Sequence, residues 1–362
     1  MHLTWLELKD FRCYDALRFV PDPGLNILIG DNGTGKTSVL EAIAYLGLLK
    51  SFRGTPDEAL VKEGGEASVI RGGFAAPASE TTVEVELRPA GGRRVLLNGK
   101  RPQRHRDVLG AVPIVGFLPD DLDLVKRGPG LRRDYLDDLA AQLWPQAVAD
   151  QSEFARTLRQ RNAMLRQRGR DIDELALDAW DTRLVASGVA VMLHRMRAVS
   201  ELDGHLGETY RLVGGSGSIT WAYRTNWGGV PGATGEDLAV ALRHALGERR
   251  RRDFEQRTTT GGPHRDDPVL LLDGRELRTK ASQGEQRTAA LAMRVGAHRV
   301  LSGQGPTMPV LLLDDVFSEL DPGRVRGVLE ILDGGQVLVT SARHDEMAMG
   351  GRVWHVERGA IL

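Results

Sequence analysis

Short apolar runs and helical patterns alternate at both ends of the chain. Residues 24–30 form an apolar run that predicts a buried strand, and 36–49 carry apolar residues at helical spacing. Towards the other end, 309–313 and 336–340 predict two more buried strands, with a helix-length segment at 322–332 between them. Continuous apolar runs of this kind are typical of parallel strands covered on both faces. We therefore expect the two ends of the chain to share one sheet.

The remainder of the first third has the alternating pattern of exposed strands. Residues 3–8 alternate apolar and polar side chains, and further strand-like segments lie at 69–71, 83–87 and 95–97. An Asn98-Gly99 turn closes the last of these. The pattern predicts a sheet-rich unit that contains one helix.

The middle of the chain is mainly helical. The predicted helices lie at 132–149, 150–168, 173–202 and 236–256. A glycine-rich break at 214–217 precedes a short strand at 219–223. Heptads are not sustained, so the pattern does not predict a long coiled coil.

Composition places the chain among ordinary globular proteins of the cytoplasm. Hydrophobic residues make up 41% and charged residues 27% of 362 positions, and the net charge is −1. Any nucleic-acid contact must therefore come from a local basic patch. Cys13 is the only cysteine, which excludes an intramolecular disulfide and agrees with a reducing compartment. No apolar run approaches the roughly 18–20 residues needed to cross a bilayer, so we expect no membrane partner.

The strongest motif is a glycine-rich loop between the first buried strand and the helix that follows it. It reads Gly30-Asp31-Asn32-Gly33-Thr34-Gly35-Lys36-Thr37, followed by Ser38, and matches the P-loop pattern. Its glycines let backbone N–H groups approach phosphates, at which the positive end of the helix dipole also points. We expect Lys36 to reach the β- and γ-phosphates of ATP and Thr37 to ligate Mg²⁺.

The second motif is the acidic end of the strand at 309–313. Asp314 is placed to hold Mg²⁺, and Asp315 to orient or deprotonate the attacking water. An acidic pair after a strand is by itself more often a helix N-cap, but the P-loop upstream favours the catalytic interpretation. Ser318-Glu319-Leu320-Asp321 follows directly, before Pro322 begins the next predicted helix.

The third motif, Ser282-Gln283-Gly284-Glu285-Gln286, opens a predicted helix over 285–301. A serine hydroxyl, a glycine N–H and a helix N-terminus together can bind an anion. The alternative is simple helix capping, with Ser282 as the N-cap and Glu285 as the capping-box acid. The position of the motif ahead of the acidic strand favours anion binding.

The order of these motifs resembles that of ABC-type ATPases. In that class the Ser-Gly motif of one subunit meets the γ-phosphate held by the P-loop of another. The resemblance implies that Ser282, Gly284, Gln286 and Asp321 also belong to the ATP site, and that ATP holds two chains together as a homodimer. Lys36, Asp315 and Ser282 are then the expected catalytic residues, and hydrolysis releases the dimer.

Within the ABC class the chain resembles the RecF family, which is related to SMC heads, over essentially its whole length. The segments that carry the resemblance are 6–14, Ser51-Phe52-Arg53, 119–137 and 262–267. Arg53 matches a family arginine and joins the expected ATP-binding residues. The resemblance implies an α/β fold: an ABC/SMC-head-like P-loop ATPase lobe (1–118 and 303–362) with an inserted, mainly helical second lobe (119–302).

Resemblance to RecF also implies binding of double-stranded DNA near single-strand gaps and work with RecR and RecO to load RecA. The candidate DNA contacts are Arg156, Arg159 and Arg166, in a helical stretch that also holds Arg161, and Arg250 and Arg251 in a run of four arginines. The alternative is a solvated face or pairing with nearby acids. Aromatic residues are only 5% of the chain, which favours duplex-backbone contact over base stacking.

Several positions depart from the ABC pattern or stay ambiguous. Ser341 stands where a switch histidine is expected, and no glutamine stands near 117–120, where Asp120 is a further candidate for Mg²⁺ or its water. We therefore expect slow hydrolysis, which suits a clamp better than a motor. His264, next to Asp266, is either part of a catalytic cluster or a hydrogen-bonded structural residue.

Two other functions fit parts of the pattern. A transporter ATPase subunit would share the motifs, although its Ser-Gly motif stands much closer to the P-loop than Ser282 does here. The ATPase module of a nuclease would need a further acidic metal-binding domain, and the residues after Asp315 are already assigned to the final strands.

Overall fold

The computed structural model describes residues 1–104, 107–118, 121–168, 174–304, 307–316, 328, 334–342, 350–357 and 359–362. The chain divides into two compact units. Unit 1 comprises Met1–Leu122, Glu208–Ser216 and Arg287–Leu362, and unit 2 comprises Asp123–Gly207 and Gly217–Gln286. The lobe bounds expected from the sequence stay a prediction, and the units differ from them chiefly at 287–302.

The strands, in chain order, are β1 (His2–Phe11), β2 (Tyr14–Phe19), β3 (Leu25–Ile29), β4 (Ser68–Ala76), β5 (Ser79–Leu87), β6 (Arg93–Leu97), β7 (Ile114–Phe117), β8 (Ile219–Arg224), β9 (Asp267–Leu272), β10 (Arg275–Glu276), β11 (Val310–Asp314), β12 (Val337–Ser341), β13 (Arg352–Glu357) and β14 (Ala360–Ile361). The helices are α1 (Lys36–Leu48), α2 (Leu122–Lys126), α3 (Pro129–Leu143), α4 (Pro145–Arg168), α5 (Glu174–Leu212), α6 (Gly235–Gln256), α7 (Leu277–Lys280) and α8 (Gln283–Ser302).

A six-stranded sheet in unit 1 carries the predicted buried strands. Its order is β14-β13-β3-β12-β11-β7, and all neighbours from β13 to β7 pair in parallel. Strands from the two ends of the chain therefore lie side by side, which confirms the prediction of one shared sheet. Every residue of β11 and β12 is buried, as expected for strands covered on both faces.

The second sheet of unit 1 is antiparallel, in the order β2-β1-β4-β5-β6. The predicted turn after β6 is present: Asn98 and Gly99 both adopt positive φ, at 51° and 72°, as a type I′ turn requires. Helix α1 packs its buried residues into the same apolar cluster as this sheet. The helix that begins at the P-loop is thus fixed by one large core.

Unit 2 is mainly helical, as predicted, with one small sheet in the order β10-β9-β8. Two predicted helix boundaries are wrong. The first predicted helix was extended to 149, but α3 ends at Leu143 and α4 begins at Pro145, because proline has no N–H to continue a helix and suits a first turn. Helix α5 runs to Leu212 rather than 202 and ends where the glycine-rich break begins.

Helix α6 has a complete start signal. The Thr234 hydroxyl accepts from the Asp237 backbone N–H, and the Asp237 carboxylate accepts from the Thr234 backbone N–H in return. Among the helices that the structure describes, none has the length and apolar character needed to cross a membrane. The predicted helix at 322–332 falls almost entirely outside the described residues.

Candidate nucleotide site

The glycine-rich loop joins β3 to α1, as its sequence context predicts. A side chain at Gly30 would place its Cβ 2.3 Å from the Val356 carbonyl oxygen, so the loop passes too close to β13 for any other residue. Gly35 has a φ of 110°, and a Cβ there would lie 2.7 Å from the Tyr14 Oη. Two of the three loop glycines are therefore required by packing and by backbone conformation.

Lys36 begins α1 and folds back over the loop. Its Nζ donates to the carbonyl oxygens of Gly30 (2.5 Å) and Asp31 (2.8 Å). Burial lowers the pKa of Lys36, while the carboxylates of Asp315, Asp314 and Asp31 oppose that shift. The ammonium group therefore lies at the centre of the loop, where a phosphate would be bound.

The acidic end of β11 meets α1 through hydrogen bonds to Asp314. Its Oδ1 accepts from the Thr37 Oγ1 at 2.8 Å and from the Thr340 Oγ1 at 2.6 Å. Burial raises the pKa of Asp314, against the hydrogen bonds from Thr340 and Thr37 and the charge of Arg53. Asp314 thus connects the P-loop helix to two strands of the parallel sheet.

Asp315 adopts a left-handed backbone conformation, with a φ of 49°. Its N–H donates to the Thr340 carbonyl oxygen (3.2 Å) and to the Thr340 Oγ1 (2.9 Å). Aspartate tolerates this conformation better than most residues do. Thr340, which the sequence analysis passed over in favour of Ser341, therefore holds both carboxylate residues.

These elements line one cavity of about 710 Å³ in unit 1. The predicted residues that line it are Asn32, Gly33, Gly35, Lys36, Thr37, Ser38, Arg53, Asp314 and Asp315. Gly30, Asp31 and Thr34 line a neighbouring cavity of about 430 Å³ on β13. The structure thus brings the P-loop, the arginine after α1 and the acidic strand end together.

Arg12 is a cavity residue that the sequence analysis did not select. Its guanidinium makes two 2.9 Å hydrogen bonds to the carboxylate of Glu41, which is fully buried on α1. Ser51 donates to the same carboxylate at 2.5 Å. Arg12 and Glu41 are far apart in sequence, so only the fold reveals the pair.

The donor set fits Mg²⁺. A threonine hydroxyl and a buried carboxylate are hard oxygen ligands, and Thr37 and Asp314 already lie within hydrogen-bond distance. No group of three or more His, Cys, Asp or Glu side chains suited to a metal occurs among the described residues. This arrangement suits Mg²⁺, which is commonly held by one or two protein oxygens together with nucleotide phosphates.

The Ser282 motif lies in unit 2, at the start of α8. Its geometry is that of a capping box: the Glu285 carboxylate accepts from the Ser282 backbone N–H at 2.7 Å, and the Ser282 Oγ accepts from the Glu285 N–H at 3.3 Å. Ser282 and Gly284 are exposed. The capping alternative is therefore present, and it leaves the first turn of α8 accessible.

Gln286 differs from its predicted contact with nucleotide. Its side chain is buried, and its Nε2 donates to the carbonyl oxygens of Arg278 (3.1 Å) and Ala281 (3.2 Å). This geometry assigns the Gln286 amide to holding the loop before α8. The predicted residues Asp120 and Asp321 lie outside the described part of the chain.

The two RecF-like segments of the middle region meet in unit 2. Arg132 pairs with Asp267 at 2.6 Å, and the Arg133 guanidinium donates to the Asp266 carbonyl oxygen at 2.6 Å. Trp227 and Tyr223 donate to the Asp266 carboxylate at 2.8 and 3.0 Å. Segments 119–137 and 262–267 thus form one buried polar network.

His264 has a structural role in this network. Its Nε2 donates to the Thr259 carbonyl oxygen at 3.0 Å. Burial lowers the pKa of His264 to about 4, so the ring is neutral at pH 7. The nearby Asp266 shifts in the opposite direction, because burial raises its pKa to about 6. The hydrogen-bonded alternative for His264 is the one that the geometry supports.

The predicted DNA contacts are in different environments. Arg161, which shares their helix, is fully buried between Asp181 and Asp253, so its inclusion in a DNA-binding stretch was wrong. Arg250 is also paired with Asp181, as well as with a second carboxylate. The other four candidates are exposed: Arg156 and Arg251 in ion pairs with acids of their own helices, and Arg159 and Arg166 on α4.

Comparison with known proteins agrees with this geometry. The family model of the RecF/RecN/SMC N-terminal domain matches residues 2–359. The DNA replication and repair protein RecF of Acidothermus cellulolyticus is 38% identical over 100% of this chain and 99% of its own.

Two solved structures extend the comparison. A structure of the recombination mediator protein RecF with ATP, from the RecFOR pathway, superposes with a TM-score of 0.93 at 28% identity, over 100% of this chain and 97% of the other. An SMC head bound to the C-terminal winged-helix domain of ScpA has a TM-score of 0.57 at 18% identity, over 100% and 96%, and therefore shares the fold alone. With its α/β head fold, P-loop cavity and full-length match, the chain belongs to the RecF family of DNA replication and repair proteins.

Proposed function

We propose that this chain is an ATP-dependent DNA-binding switch for recombinational DNA repair and replication restart. The observation that carries the proposal is the convergence of the P-loop, Arg53 and the two carboxylates Asp314 and Asp315 on one cavity. The ATP-bound RecF structure supports the choice of nucleotide, since it has the same fold over the full length. Family membership favours this function over the transporter and nuclease alternatives.

Within the cavity each residue has a distinct role. Backbone N–H groups of the loop and the Lys36 ammonium bind the phosphates, while Thr37 and Asp314 would hold Mg²⁺. Bound Mg²⁺ would supply charge neutralisation at the phosphate oxygens. Asp315 orients or deprotonates the attacking water. A carboxylate on a short side chain, without a histidine at Ser341, supports slow turnover.

The cavity is half of the active site. Ser282 and Gly284, exposed at the start of α8, bind the γ-phosphate held by a second copy of the chain. ATP therefore joins two chains, and hydrolysis separates them. The ATP-bound dimer binds double-stranded DNA near single-strand gaps in the cytoplasm and acts with RecR and RecO to load RecA, as its RecF relatives lead us to expect.

Sedimentation with and without ATP tests the switch. Wild type should shift from monomer to dimer when ATP and Mg²⁺ are added, and gapped duplex should co-sediment with the dimer. Lys36→Met should abolish both shifts, whereas Lys9→Met, an exposed control on β1, should retain them. ATP-driven dimerisation of Lys36→Met would refute the proposal.

Variants at the other motifs separate binding from catalysis. Ser282→Arg should bind nucleotide nearly as wild type does, yet fail to dimerise or hydrolyse ATP. Ser282→Thr, which keeps a capping hydroxyl, should still dimerise. Equal loss of ATP binding in Ser282→Arg would instead identify Ser282 as a structural cap. Asp315→Asn should bind and dimerise but hydrolyse poorly, and wild-type turnover would exclude it as the base.

A further inference from the structure

An arginine-rich cleft lies in unit 1, beside the antiparallel sheet. It has a volume of about 500 Å³. Five arginines line it, from the β5–β6 turn and from the segment after β6: Arg88, Arg93, Arg94, Arg101 and Arg104. Among the described residues, no acidic side chain lines the cleft. The site is therefore a concentrated positive surface on a chain whose net charge is −1.

The cleft is separate from the nucleotide cavity. Arg93 donates to the carbonyl oxygen of Leu49, next to the C-terminal end of α1, whereas the P-loop precedes the N-terminal end. Helix α1 has 13 residues and is therefore about 20 Å long at 1.5 Å per residue. None of the five arginines lines the 710 Å³ cavity. A ligand of the cleft is thus distinct from the phosphates at Lys36.

Three of the arginines have charges that the fold does not neutralise. Arg94, Arg101 and Arg104 are exposed, and no ion pair joins their guanidinium groups to a carboxylate in the described part of the chain. Asp107 accepts from the Arg104 backbone N–H, not from its side chain. Arg88 pairs with Glu86, and Arg93 lies 3.9 Å from Asp57.

The lining indicates which class of ligand fits. A protein partner usually needs an aromatic or aliphatic anchor, and the described lining offers only Val95, which is 7% exposed, and Pro102. A phosphodiester backbone needs only cationic donors, for which guanidinium groups are well suited. The described lining also holds no aromatic ring on which unpaired bases could stack. These features favour a duplex backbone.

We propose that this cleft binds the sugar-phosphate backbone of double-stranded DNA, with Arg94, Arg101 and Arg104 as the principal contacts. The assignment deepens the proposed function and rests on it. It also differs from the sequence expectation, which placed DNA on unit 2. Of those unit-2 candidates, Arg156, Arg250 and Arg251 are already in ion pairs, so their charges are partly neutralised within the fold.

The test is the salt dependence of DNA binding. The triple variant Arg94→Ala/Arg101→Ala/Arg104→Ala is compared with Lys9→Ala/Arg18→Ala/Arg71→Ala, which removes three charges from β1, β2 and β4 of the same sheet. Anisotropy of a short labelled duplex is measured with ATP between about 50 and 200 mM NaCl. Each lost phosphate contact lowers the log–log slope by about 0.9, so the cleft variant should lose up to about 2.7 in slope and about 10- to 100-fold in affinity.

The outcomes separate the cleft from the function. Loss in the cleft variant, with wild-type affinity in the control variant and intact ATP binding in both, supports the assignment. If wild type binds DNA and both variants keep its affinity and slope, the assignment is overturned, and an acidic protein becomes the ligand to consider for the cleft. If wild type itself fails to bind the duplex with ATP, the proposed function fails first.

Discussion

Thr340 is the residue whose replacement tests the architecture of the site most directly. Its hydroxyl donates to Asp314 at 2.6 Å and accepts from the Asp315 N–H at 2.9 Å, and the side chain is only 1% exposed. Valine has nearly the same shape but no hydroxyl, so Thr340→Val removes both hydrogen bonds without creating a cavity.

The expected loss follows from these two bonds. A hydrogen bond to a charged group contributes about 1.5–3 kcal/mol, and a neutral one about 1 kcal/mol. The Asp315 N–H retains the Thr340 carbonyl oxygen at 3.2 Å, which softens the second loss. We therefore expect the free energy of unfolding to fall by about 2–4 kcal/mol. ATP hydrolysis should fall as well, because the backbone of Asp315 loses part of its support.

Urea unfolding followed by tryptophan fluorescence measures the loss, and Thr340→Ser is the matched control. Serine keeps the hydroxyl and removes one methyl group, so it should cost about 1 kcal/mol. The bond from Thr340 lowers the pKa of Asp314, so the deficit of the valine variant should be present at neutral pH and shrink as acid protonates Asp314. A valine variant as stable as wild type, with serine the more damaging change, would refute the reasoning.

Three further predictions concern other parts of the chain. Cys13, the only cysteine, is exposed in the nucleotide cavity, so saturating ATP should slow its maleimide labelling roughly tenfold or more; unchanged labelling would contradict the cavity assignment. Burial raises the pKa of Asp266 to about 6, which favours its protonated form in the folded state. Wild type should therefore lose about 3 kcal/mol relative to Asp266→Asn between pH 4 and 7 in urea titrations, and a constant difference would argue against the shift. Arg161→Ala leaves Asp181 and Asp253 without their shared partner, so we expect about 3–5 kcal/mol of destabilisation by thermal or urea unfolding, with Arg156→Ala as a nearly neutral control.

Patterning alone was enough for the strands that are buried on both faces. The runs at 24–30, 309–313 and 336–340 correspond to β3, β11 and β12, because a strand covered on both sides must be apolar throughout. The P-loop was equally clear, since its residues are contiguous and its function depends on local backbone geometry. Such features need no knowledge of what lies across the sheet.

Residues that act through distant partners were not predictable. Thr340 meets Asp314 because β11 and β12 pair in parallel with these two residues in register, and a single sequence does not reveal that register. Arg161 looked like an exposed basic residue because its acidic partners are 20 and 92 positions away. The same limit hid the pair between Arg12 and Glu41.

The contact between Tyr14 and the phosphate loop has a consequence for how the protein becomes active. The Tyr14 Oη donates to the Gly35 carbonyl oxygen at 3.1 Å, and Gly35 lies directly against Cys13 and Tyr14. The start of β2 thus acts as a mould for the loop, and the entropy of ordering the loop is lost during folding rather than on nucleotide capture. Competence to capture ATP should therefore appear in the same cooperative step as the antiparallel sheet during refolding.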